Sequence, residues 1–395
     1  MKIFKTLLIS SLILASCSEN DDNNYVACTA DVTMPEGVEA ADLTEPHFTF
    51  TNLSDGRRSN YDGTTASAQL LPGLYDITFT ANTTLENGAD ATVRASKQAV
   101  DITSDTNVNL EAYILTSSDD LIISEIFFTG TQQTSGNSYT GDQYIKLYNN
   151  TDHTIYADGL TIFETLFLTT TKYDYTPDVM ASKVAVSALY TIPGTGKDHA
   201  VEPGKELLIS DIAINHKTLN PNSMDLSHAD FEWYDESTNP NVQDTDNPDV
   251  PNLNKWYCST KTIWTLHNRG FKGYGIARIP QTQAEYLADN QYTASYQLVT
   301  AAGTYPMTTT GYTINNEWIV DYVGLSVEAS YQWQVTAPSL DCGWAHCGSL
   351  ANDATRYGKS VRRKVIATEN GREILADTNN STVDFISEAT PSEMK

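Results

Sequence analysis

Positive charge is what this chain most lacks. Its 395 residues hold 24 Lys and Arg against 50 Asp and Glu, a formal net charge of −26, and its longest basic cluster is Arg362-Arg363-Lys364. Nucleic-acid binding needs a basic stripe to neutralise phosphates, so that role is excluded. After the first sixteen residues no apolar run approaches the roughly eighteen needed to cross a bilayer as a helix. Cysteine is scarce, with five residues, and so is histidine, with seven. Neither falls into the His-Glu-x-x-His or Cys-x-x-Cys pattern, which removes the usual zinc peptidase and thiol oxidoreductase signatures. No Gly-x-Ser-x-Gly nucleophile elbow is present either. Long amphipathic helices are missing, and only Gln281 to Asp289 reads as clearly helical. What remains is rich enough to fold: 40% hydrophobic, 10% aromatic, with 22 tyrosines. The length suits two or three domains.

Met1 to Ser16 read as an export signal, with Lys2 and Lys5 ahead of the apolar stretch Leu7 to Ala15. The stretch ends in Leu14-Ala15-Ser16-Cys17, which resembles the bacterial lipobox and implies that Cys17 is lipidated and holds the protein on a membrane without crossing it. Residues 17–27 form an acidic tether. Its start, Ser18-Glu19-Asn20-Asp21-Asp22-Asn23-Asn24, resembles the Bacteroidetes signal that sends lipoproteins to the outer leaflet of the outer membrane. The expected location is therefore the outer membrane, lipid-anchored and exposed at the cell surface.

From residue 28 to residue 115 the chain reads as short strands separated by turns. Leu74-Tyr75-Asp76-Ile77-Thr78-Phe79 alternates as a half-buried strand does, and Asp55-Gly56, Asp62-Gly63 and Pro72-Gly73 mark turns. Asp101 to Leu115 reads as the last strand. Leu70-Leu71-Pro72-Gly73-Leu74-Tyr75 resembles prealbumin-like, Ig-like sandwiches. Residues 120–395 open with the strand runs Leu121 to Phe128 and Gln143 to Asn150. Ile123-Ser124-Glu125-Ile126, Tyr144 to Asn149 and Tyr156 to Ile162 resemble the opening strands of the lamin-tail domain, an Ig-like sandwich. Val201 to Ser210, Glu317 to Val323, Gly358 to Arg363 and Asp377 to Phe385 follow in the order that resemblance requires. The fold expected is all-β: a small N-terminal sandwich, then a larger lamin-tail-like one with long loop insertions. Taken whole, the chain resembles Bacteroidetes surface lipoproteins of the DUF4876 type, a likeness that implies a location and a fold but no reaction.

Cys28, Cys258, Cys342 and Cys347 make an even number in an oxidising compartment, so disulfides are expected, with three pairings open. Zinc on Cys342, His346 and Cys347 would lack a second ligand pair. The insertion at about 216–257 brings Trp233, Tyr234, Trp256 and Tyr257 among Asn, Pro and Asp. Such rings form either a stacking platform for sugars or planar ligands, or ordinary packing. Asp235-Glu236 and the run Asp244 to Asp249 supply oxygens that suit a structural calcium ion, though not in EF-hand spacing. His216 and His228 carry little spacing information. Gly270-Phe271-Lys272-Gly273-Tyr274-Gly275 reads as a turn between strands.

The function expected is non-catalytic: a surface lipoprotein that binds a ligand or partner, accessory to a TonB-dependent receptor in nutrient uptake. A structural or adhesive surface protein and a secreted hydrolase are the alternatives. No catalytic residue and no metal ligand are assigned, and no cofactor is expected beyond that calcium.

Overall fold

The structure is a computed structural model that describes residues 25–86, 88–116 and 119–394. The export signal and Cys17 lie outside the described residues. The described residues are nearly all β, with two short α-helices, Ser381–Asp384 and Gln283–Asp289, the latter where the helical stretch is expected. Thr282 caps that helix and Glu285 returns the bond to complete a capping box.

The N-terminal residues form two facing sheets. One has three strands in the order Thr65–Leu70, Val26–Thr33, Thr106–Glu111. The other has five, in the order Arg58–Asp62, Thr44–Asn52, Gly73–Thr84, Asp90–Ile102, Tyr113–Thr116. The alternation read from Leu74 to Phe79 is realised, since Tyr75, Ile77 and Phe79 point inward and are buried with Phe48, Phe50 and Val93. The stretch from Asp101 to Leu115 is not one final strand. Thr106–Glu111 and Tyr113–Thr116 belong to different sheets, and the chain changes sheet at Ala112.

The second body packs a six-stranded sheet on a seven-stranded one. The first runs Phe231–Glu232, Glu206–Ser210, Tyr144–Tyr148, Ile122–Phe127, Ser360–Arg363, Phe385–Ala389. The second runs Gln291–Thr300, Gly303–Asn315, Lys183–Thr191, Leu160–Thr165, Gly273–Arg278, Ile319–Gly324, with Asn254–Cys258 also pairing Lys183–Thr191. Ile123, Ile145 and Val361 meet Ile162, Tyr190 and Ile276 between them. Each such side chain taken from water contributes about 1.5–3 kcal/mol. The opposite face of the larger sheet is covered too, Phe163, Val184 and Val186 packing under Tyr286 of the helix and Trp333. Central strands buried on both faces explain the near-continuous apolar runs in this half of the sequence.

The glycine-rich run departs from expectation. Gly270 does turn, at φ 62°, but Gly273 and Gly275 lie inside a strand. A Cβ on Gly275 would lie 2.3 Å from the Phe163 ring, so the glycine is what admits that ring against the sheet.

The two bodies are fastened by the hairpin Val365–Glu369 and Arg372–Leu375. Glu369 accepts from Arg94 at 3.0 Å and from the Tyr113 hydroxyl at 2.6 Å. The Thr116 backbone N–H donates to the Asp377 carbonyl at 2.7 Å.

Candidate functional site

The aromatic residues of the 216–257 insertion do not form a platform. Trp233 is fully buried in the inter-sheet core, its ring 5.2 Å from that of Trp264. Trp256 and Tyr257 sit on the strand that joins Lys183–Thr191 and pack against Tyr286 and Tyr312. Tyr234 is half-buried. Met224, Leu226 and Val250 of the same segment pack on Phe127, Tyr144 and Leu208 of the six-stranded sheet, so the insertion is a folded part of the sandwich. His216 is buried between the Tyr139 hydroxyl and the Ile212 carbonyl, whereas His228 sits at the surface against Glu393.

The Asp235 carboxylate is held by the Tyr190 hydroxyl, the Trp264 backbone N–H and the Lys255 ammonium at 2.7 Å. Asp244 accepts the N–H groups of Asp235 and Thr245. Among the described residues no three His, Cys, Asp or Glu side chains converge as metal ligands do.

The expectation of disulfides is corrected: Cys28, Cys258 and Cys347 are free thiols. Cys28 lies in the core of the first sandwich, Cys347 in that of the second, and Cys258 on a strand packed against the latter. Burial raises the pKa of Cys28 and pushes Cys347 up to about 12, so these thiols stay protonated and unreactive. Cys342 is exposed.

The feature with the geometry of a binding site lies where no single stretch of sequence announces it. The loop between the Leu160–Thr165 and Lys183–Thr191 strands runs beside the edge of the seven-stranded sheet. Tyr173 stacks on Tyr296 at 4.6 Å between centroids and 28° between planes. Tyr175 stacks on Phe167 at 3.8 Å and on Trp333 at 5.9 Å. The Trp333 indole N–H donates to the carbonyls of Leu168 and Thr171, and the Tyr292 hydroxyl donates to that of Pro177, so the loop is pinned at both ends.

A cleft of about 720 Å³ opens between this loop and the strand, lined by Tyr173, Asp174, Thr176, Tyr296 and Gln297, with Lys172 at its rim. A second lobe of about 410 Å³ reaches Trp333 and Gln334. The Gln334 carboxamide turns away from the surface toward Gly324, and neither of its polar atoms has a hydrogen-bond partner. Burial and the neighbouring tyrosines push Tyr175 up to about 12, so its hydroxyl is a neutral donor at any physiological pH. Rigid rings and a mixed-charge rim suit reversible binding of a polar ligand with flat or extended faces.

The cluster of Ser187, Glu164 and Lys272 is committed to structure. Ser187 donates to Glu164 at 2.8 Å and accepts from Lys272 at 3.1 Å, but it is buried under the sheet and lines neither lobe. Lys272 is paired with Glu164 at 3.1 Å and bonded to the Thr165 carbonyl.

Residues 202–392, just under half of the chain, match the family described as "Protein of unknown function (DUF4876)". A crystal structure of a DUF4876 family protein from Bacteroides thetaiotaomicron superposes with a TM-score of 0.59 at 20% identity, over 93% of this chain and 96% of that one. The likeness shows a shared fold that includes the N-terminal sandwich. The major pilin of Streptococcus pyogenes aligns with a TM-score of 0.12 at 8% identity, over 73% of this chain and 92% of the pilin, too low for an argument. No curated protein matches the chain.

Proposed function

We propose that this chain is a lipid-anchored, non-catalytic binding protein of the outer cell surface, which captures its target in the cleft between Tyr173 and Tyr296 and hands it to a TonB-dependent uptake system. The lipobox-like Cys17 and the acidic segment behind it support the address. One observation carries the site: stacked, half-exposed rings on a loop that Trp333 pins beside the sheet edge. Surface aromatics of this kind dominate binding energy because little freedom is lost when they are covered.

The double substitution Tyr173→Ala, Tyr296→Ala tests the site. Both rings are only half-buried, so the melting temperature should hardly move. Capture of the partner or ligand from intact outer membranes should fall about ten-fold or more. Undiminished capture would discard the cleft and favour the adhesive alternative. For the address, mass spectrometry of the mature N-terminus should find Cys17 acylated, and protease added to whole cells should cleave the protein. An unmodified thiol, or protection until lysis, would refute it.

A further inference from the structure

We infer that the cleft receives an extended segment of a partner polypeptide, which adds as a new strand to the outer edge of Gln291–Thr300. The inference rests on the reading of the cleft as a binding site and names its class of partner. Gln291–Thr300 is the terminal strand of the seven-stranded sheet, so among the described residues one of its edges has no neighbouring strand.

One residue of that edge is already taken. Thr176 and Ser295 exchange two backbone hydrogen bonds, each 2.9 Å. In an antiparallel pair backbone groups point alternately to one edge and the other, so Gln297 and Val299 point the same way as Ser295. Their N–H and C=O groups therefore face the cleft, which both residues line. The loop residues Lys172 to Asp174 form the opposite wall, splayed from the strand beyond the Thr176 bridge. An incoming strand continues the line that Thr176 begins.

The two edges of this hairpin differ in protection. Pro306 is paired with Gln297, so on the Gly303–Asn315 strand it holds the outward-facing place where its missing N–H blunts pairing. Gln291–Thr300 carries no proline, no charge and no bulge in its register. The 27 residues from Asn290 to Asn316 contain no Asp, Glu, Lys, Arg or His, in a chain that is 19% charged. Exposed edges in soluble proteins are ordinarily guarded by charge, proline or a bulge, and an unguarded one is the template that strand addition uses.

Charge selects the occupant. Around the two lobes Asp174 and Asp178 outnumber Lys172, and the whole chain carries −26, so a strand with cationic flanks is drawn in while a second, equally acidic copy is repelled. Residues of that strand beside Tyr296 and Leu298 meet the tyrosine rings and favour apolar side chains.

The test uses the full chain and a synthetic probe of about ten residues, alternating Thr and Val between terminal lysines. Fluorescence anisotropy should show saturable binding, and hydrogen exchange should slow at the Gln297 and Val299 amides. Val299→Pro removes an outward-facing N–H and leaves the hairpin's own bonds intact. It should weaken binding about ten-fold or more, as should N-methylation of alternate probe amides. Glutamates in place of the probe's lysines should weaken it as well, and added salt should narrow that difference.

No saturable binding, or binding indifferent to Val299→Pro, overturns the inference. A dimer that Val299→Pro converts to monomer overturns it too, since a second copy would then own the edge. If Tyr173→Ala, Tyr296→Ala abolishes capture from membranes while Val299→Pro does not, the cleft stands and the strand falls.

Discussion

Replacing Arg363 by methionine should cost the larger sandwich about 3–5 kcal/mol, enough to leave much of the protein insoluble or unfolded. The Arg363 side chain is 2% exposed and is surrounded by carboxylates of Asp321 at 2.6 Å, Asp377 at 3.2 Å and Asp384 at 3.6 Å. Its other donors reach the carbonyls of Ile123 at 2.8 Å and Ala376 at 2.6 Å, and its plane lies over the Phe385 ring. Burial and mutual repulsion raise the pKa of Asp321 and Asp384 even beside the guanidinium. Without it, three carboxyl groups would share a dry site with no cation. Arg363→Lys restores the charge but not the fork, and should recover only part of the loss. Denaturant unfolding of the three proteins checks this, and a methionine variant within about 1 kcal/mol of the parent would sink it.

A second large effect should come from pH. Burial raises Asp142 to about 6 and Asp341 to about 7, and Asp211 well above its ordinary 3.8. A carboxyl whose folded pKa exceeds its unfolded value binds its proton more tightly in the native state. Its contribution to stability is complete below about pH 4 and is lost as pH rises through about 6 for Asp142 and about 7 for Asp341. At about 1.4 kcal/mol per unit, Asp142 contributes about 3 kcal/mol and Asp341 about 4. Opposing them, burial lowers His267 to about 4 and also lowers His216, so their support is lost as pH falls below about 6.5, while Glu388 and Glu393 are lowered and lose theirs only in stronger acid.

The melting temperature should therefore peak near pH 5 and fall by several degrees toward pH 8 at fixed ionic strength. Asp142→Asn should flatten the lower part of that fall. Oδ2 of Asp142 accepts both hydroxyls, of Thr131 and Ser223, and Oδ1 has no partner, so an amide keeps both bonds without the charge. A melting temperature that climbs steadily from pH 5 to pH 8 would refute the assignment.

Much of the fold is legible in the chain because strand periodicity is a local signal. Leu74 to Phe79 alternates, and the runs beginning at Leu121 and Gln143 are apolar on both faces because Met224, Leu226 and Val250 cover Phe127 and Tyr144 on the side away from the inter-sheet core. The cleft was not legible for the opposite reason. Tyr173, Tyr296 and Trp333 are more than thirty residues apart at the closest and meet only because the Leu160–Thr165 and Gly303–Asn315 strands both border Lys183–Thr191. Local aromatic density pointed to Trp233 and Trp256, where the rings fill a core. Composition cannot tell a ring turned inward from one turned outward. The free cysteines teach the same lesson, since an even count says nothing of which core each sulfur occupies.

The first strand, Val26–Thr33, runs parallel to Thr106–Glu111 over six residue pairs, from Cys28 with Thr106 to Thr33 with Glu111. Tension applied ahead of Val26 and resisted beyond Glu111 would slide these strands along each other and load all the rungs at once, where an antiparallel arrangement would peel them singly. The anchor proposed at Cys17 would pull along this mechanically stronger axis.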